Sequence, residues 1–222
     1  QTFTDSLSGS SAFSVTSNSS SVEVKVNNQA EAKAFNAQIS VSSLAQAQTL
    51  EFSGFSSKTD AINLGSIAID FGSWSGNSFT LNSAKTSQTV TVSSANNTLN
   101  GLAESLTAIE GVNATVTDKG DGTFSLIINS DTGAKNSLRL SVTEDASDTG
   151  LSAFDTTSNN ASKHVVAAQD ASINLNGVSI TRENNVVTDL IDGYEFKLNS
   201  TTSTAASVSS TTDKATAFAT IS

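Results

Sequence analysis

The chain has 222 residues, a formal net charge of −10 and no cysteine, proline or methionine. Its 11 basic residues are scattered, whereas binding a phosphate backbone needs clustered Lys and Arg, and the negative charge also disfavours anionic membrane surfaces. Without cysteine there are no disulfide staples and no thiolate metal sites, and no apolar run of about 18 residues marks a membrane-crossing helix. The 36% hydrophobic fraction, set in Ser, Thr, Asn and Ala, suits many short strands with polar outer faces. With no methionine, residue 1 is not expected to be a natural start, and the chain reads as a piece of a larger exported protein.

In chain order, residues 1–20 are Ser-rich and read as a loose leading arm. Val22, Val24 and Val26 alternate as a strand, and strands over 34–41 and 44–52 follow. The pattern breaks over 54–60, taken as a crossing into a second domain. Ile67, Ile69 and Phe71 alternate next, then 79–81 and 90–92. Leu99, Leu102, Ala103, Leu106 and Ile109 recur at helical spacing, with Asn97 or Thr98 as the cap and Gly111 as the stop. Val112, Ala114 and Val116 alternate, Asp118–Gly122 reverses the chain, and Phe124, Leu126 and Ile128 alternate back. Leu138, Leu140 and Val142 close this domain. The acidic, Ser/Asn-rich residues 144–163 read as a return linker, with Glu144–Asp148 a solvated loop. Ile173–Leu175 and Val178–Ile180 flank Asn176-Gly177, a strong hairpin signal. Asn185 is expected to cap a helical turn over 186–191 stopped by Gly193, before a strand of Tyr194, Phe196 and Leu198.

The expected fold is mainly β (a β-rich α+β class), with two compact domains of short antiparallel strands. Residues 1–54 with 164–222 form one domain in two segments. Residues 55–163 form an inserted domain carrying the helix-plus-hairpin unit.

Three blocks carry a family resemblance. The stretch 98–133 resembles the flagellin hook IN motif, placed at 87–133, although Leu106-Thr107 or Ile109-Glu110 replaces the usual Ile-Asn pair. Phe35–Val41 followed by Ser42-Ser-Leu-Ala-Gln-Ala-Gln48 resembles a segment near the start of the hook-associated protein 2, or flagellar filament cap, family. Asp170–Gly177, Ile180–Asn185 and Thr188–Gly193 resemble a later block of the same family. Order and approximate spacing agree over about residues 22–198. Residues 210–218 resemble the return of such proteins into a helical stem, which would be missing here.

The resemblance implies an extracellular structural role at the flagellum tip. The partners would be copies of the chain in a ring, exported flagellin and a host surface, with no enzymatic step, cofactor, metal, nucleic acid or membrane. A bacterial surface adhesin or glycan-binding β-module is the alternative. The site residues are interface candidates: Trp74, in a Gly/Ser loop, for core packing or partner contact, and Arg182 for an internal salt bridge or subunit contact. The sole histidine, His164, reads as a surface residue, since no Gly-x-Ser-x-Gly elbow accompanies it. Asp118 and Asp121 read as turn residues rather than a calcium loop, because the rest of an EF-hand series is missing.

Overall fold

The computed structural model describes residues 12–159 and 162–213. These form two units: a split unit from the residues up to 44 and from 170 onward, and an inserted unit of 45–169.

The split unit has two antiparallel sheets. In the first, β1 (Ala12–Ser17), β16 (Ala206–Asp213), β3 (Phe35–Ser43), β12 (Ala171–Leu175) and β13 (Val178–Arg182) lie side by side in that order. In the second, β15 (Tyr194–Leu198) lies between β14 (Val186–Val187) and β2 (Val22–Val26). Period-2 alternation buries Ile39 and Val41 on β3, Ile173 on β12, and Tyr194 and Phe196 on β15. The rings of Phe35 and Tyr194 meet edge-on at 4.8 Å, joining the two sheets. The Tyr194 hydroxyl donates to the Lys33 carbonyl at 2.9 Å and lies 2.7 Å from Ser210 Oγ. Asn176 (φ 51°) and Gly177 (φ 91°) close the β12–β13 hairpin, both in the positive-φ region that a two-residue type I′ turn requires.

The inserted unit also has two sheets. In one, β5 (Gly65–Ser75) pairs on one side with β10 (Ser137–Glu144). On its other side it pairs with β7 (Gln88–Val92) along its first half and β6 (Ser78–Leu81) along its last. The other sheet runs β11 (His164–Val166), β4 (Ala47–Phe55), β9 (Phe124–Thr132), β8 (Val112–Asp118). The helix α1 (Leu99–Thr107) begins at Thr98, whose hydroxyl accepts from the Gly101 N–H at 3.0 Å. It buries Leu99, Leu102, Ala103 and Leu106 against Ile67, Ile69, Leu126, Ile128, Leu138 and Leu140 in one apolar core.

Several expectations differ from the structure. The crossings fall at 44/45 and 169/170, where Gln46 and Gln169 exchange backbone hydrogen bonds of 2.8 and 3.1 Å. The strand over 44–52 therefore belongs with β9 in the inserted unit. Gly54 (φ 94°), taken as a break, is a bulge inside β4, where the register shifts between Ser53 and Phe55. Residues 144–163 are not a free linker: a 3-10 turn at Leu151–Phe154 buries Leu151 and Phe154 in the core, and the Thr156 hydroxyl accepts from the Leu140 N–H. The helical turn over 186–191 is absent, because Val186 and Val187 pair with Lys197 and Phe196 as β14. Residues 12–17 form β1 and 206–213 form β16, both polar strands legible only once their inward positions, Ala206, Val208 and Ser210, are seen buried. The expected return to a stem reaches β16 and otherwise lies outside the described residues, as do residues 1–11 of the leading arm.

Candidate functional site

Trp74 lies on β5, not in a loop, paired with Phe79 across the β5–β6 hairpin. Its indole N–H donates to the Leu138 carbonyl at 3.2 Å, and its ring meets Phe79 at 4.8 Å and His164 at 5.3 Å, edge to face. The side chain is half-buried, and it lines a cleft of about 270 Å³ with Gln48, Ser73, Asn159 and His164. Packing is its observed role.

His164 differs from its expected surface position. β11 seats it half-buried beside β4, where Gln48, itself 2% exposed, places Nε2 at 2.8 Å from His164 Nδ1. Gln48 Oε1 accepts from the Leu138 N–H at 2.6 Å, so one amide ties β4, β10 and β11 together. The Nε2 of His164 is sealed from solvent and has no hydrogen-bond partner among the described residues. Burial, then the neighbouring Lys163 charge, pushes the imidazole below the usual histidine range. Among the described residues its imidazole is hydrogen-bonded to Gln48 and to no serine or carboxylate, although Ser73 lines the same cleft, so no hydrogen-bonded Ser–His–Asp arrangement is formed there. Gln48 was readable as a candidate: it falls in phase with Leu50 and Phe52, a polar residue where the alternation calls for an apolar one.

Arg182 closes β13 and pairs with Asp189, its Nε donating to Oδ1 at 2.9 Å, while Nη1 donates to the Thr181 carbonyl at 2.8 Å. The Arg182 hydrogen bond holds the Asp189 carboxyl below the usual carboxylate range. Arg182 sits in the split unit and Trp74 in the inserted one. Beside Arg182, β13 pairs only with β12 among the described strands, and Val178 on it is 63% exposed.

The two turn carboxylates act locally. Asp118 Oδ1 accepts from the Gly120 N–H at 2.8 Å, and Asp121 Oδ1 accepts from the Thr123 N–H and hydroxyl at 2.9 and 2.6 Å. Among the described residues no group of three or more His, Cys, Asp or Glu could hold a metal ion. Glu144, at the start of the expected solvated loop, accepts from the N–H groups of Gly150 and Ser152, both at 2.7 Å. The Ser152 and Gly150 hydrogen bonds lower its carboxyl below the usual range.

The profile of the family described as flagellar hook-associated protein 2 C-terminus matches residues 168–222. The chain is 32% identical over 196 residues to flagellar hook-associated protein 2 of Escherichia coli K12, covering 85% of this chain and 40% of that protein. The chain thus spans about two-fifths of the length of this curated relative. The crystal structure of the flagellar cap protein FliD D1-D2-D3 domains from Escherichia coli superposes with a TM-score of 0.78 at 29% identity, covering 95% of this chain and 60% of that one. The D2-D3 domains of the same protein, solved alone, give 0.74 at 29% identity, covering 91% of this chain and 100% of that one. The profile match, the identity over most of the chain and the superposition across both units agree, and the chain belongs to the flagellar hook-associated protein 2 family.

Proposed function

We propose that this chain is the β-rich part of a flagellar filament cap subunit. With copies of itself in a closed ring at the extracellular tip, it confines exported flagellin while that protein folds and inserts. The observation that supports this most is the similarity to a hook-associated protein 2 over 85% of the chain, spanning both units. The action is steric, with no covalent step: among the described residues the lone histidine packs against Trp74 and is hydrogen-bonded to Gln48, with no serine or carboxylate bonded to it. A closed ring needs heterologous contacts between subunits. Of the two interface candidates, Arg182 lies at one end of the open edge strand β13, with exposed Val178 at the other, and its guanidinium is committed to Asp189 and the Thr181 carbonyl. Trp74 has its N–H and ring edges occupied within its own unit, and it would offer a partner only its exposed part. No observation favours an adhesin or a host ligand.

The test is complementation of a strain lacking its own cap protein with a full-length protein carrying this region. Restored filaments, with little flagellin released to the medium, are the expected outcome. Filament growth that stays normal when 45–169 is replaced by a short Gly/Ser linker would remove the inserted unit from the role. Failure to restore filaments, together with a monomer by light scattering at every concentration, would overturn the cap reading.

A further inference from the structure

His164 is the only histidine and Trp74 the only tryptophan in the chain, and within the inserted unit they touch. Gln48 sets the state of the imidazole. Because its Oε1 is committed to the Leu138 N–H, the group it turns towards His164 is the Nε2 amide, which donates to Nδ1. The imidazole proton therefore sits on Nε2, which is buried and has no acceptor among the described residues. A second proton would arrive at Nδ1 and face an N–H donor. Flipping the Gln48 amide would give that proton an acceptor, but would turn an NH₂ towards the Leu138 N–H. In both arrangements a buried donor loses its acceptor, and the charge gains no anionic partner.

The charged groups on the surrounding elements offer no relief. Glu51 on β4 is held by Lys119 at 2.6 Å and by Ser125 at 2.8 Å. Asp70 on β5 is paired with Arg139 of β10 at 2.7 Å. Asp155 accepts from Thr157 and the Val142 N–H, and the Lys163 ammonium donates to the Asp155 carbonyl at 2.7 Å. Lys163, next in sequence, and Lys135, beside the cleft-lining Ala134, add only positive charge.

We propose that the Gln48–His164 pair is an acid-sensitive lock on the inserted unit: protonating His164 breaks the amide bridge that joins β4, β10 and β11. Its effect is independent of the cap role. The imidazole takes up its proton more readily unfolded than folded, because burial lowers the folded value. The lock's stabilisation is therefore complete above the ordinary histidine range, near pH 6.5, and is lost progressively as pH falls below it.

Urea unfolding followed by Trp74 fluorescence reads the inserted unit alone, since no other tryptophan exists. Between pH 7.5 and 5 its unfolding constant should rise by up to about tenfold per pH unit once below the ordinary range, as uptake of one proton requires. His164→Gln, which cannot titrate, should flatten that rise. Gln48→Glu, which places a carboxylate opposite Nδ1, should reverse it, so that the unit is steadier at pH 5.5 than at 7.5. The ring-proton NMR signal of the single histidine in the unaltered chain should titrate below the ordinary range. A His164→Gln profile as steep as the parent's, an unreversed slope in Gln48→Glu, or a histidine signal titrating at its ordinary pH would each overturn the proposal.

Discussion

Single residues differ in how far the sequence betrays them. A helix cap was legible at Asn97 or Thr98, because a polar side chain just before an apolar periodic run can accept from the free N–H groups of the first turn, and the structure makes it Thr98. Thr98→Ala should cost about 1 kcal/mol of inserted-unit stability, read as a lower urea midpoint with an unchanged slope. Gln48 is the opposite case. Its inward phase on β4 was visible, but its partners come from β10 and β11, 90 and 116 residues away. Gln48→Leu would leave the Leu138 N–H buried without an acceptor, and should cost about 1–3 kcal/mol in the same measurement. His164 was misjudged for the same reason: a polar neighbourhood in sequence gave no hint that Trp74 and Gln48 close over it.

Elements whose signals are local were readable, and those held by distant pairing were not. The β12–β13 hairpin follows from Asn176-Gly177, and α1 with β8 and β9 follows from its own periodicity and turn. By contrast β1 and β16 are Ser/Thr-rich strands that exist because each completes the other, and β14 is two valines captured by β15. The type I′ turn makes Leu175 and Val178 the hydrogen-bonded pair, so Ser179 and Thr181 turn their backbone groups away from β12. On that free edge the Arg182 guanidinium occupies the Thr181 carbonyl. Charged side chains at sheet edges suppress pairing between molecules. Arg182→Ala should therefore change stability by less than about 1 kcal/mol, because the Asp189 pair is exposed, yet raise self-association. Light scattering over a wide concentration range would detect the difference, and an unchanged mass would show that the edge is guarded by something else.

At the scale of the whole molecule, the nested order of segments was legible because hydrophobic alternation resumes on both sides of the middle region. The boundaries were not, because the crossing is made by paired glutamines rather than by the glycine and acidic stretches that usually mark one. Every residue of the inserted core lies between Leu50 and Phe154. Residues 45–169 should therefore fold alone, with a Trp74 urea midpoint matching that in the full chain.

The pairing of β1 with β16 also sets how the chain carries load. Ala12 stands opposite Asp213, so tension applied at the two ends of the described chain pulls one rung of that ladder at a time, like a zip. The inserted unit is spliced in beyond Ser43 and Ser172, which are themselves opposite one another on β3 and β12. It should feel no pull until those strands part, so drawing the two ends apart would peel the split unit first and leave the inserted core slack.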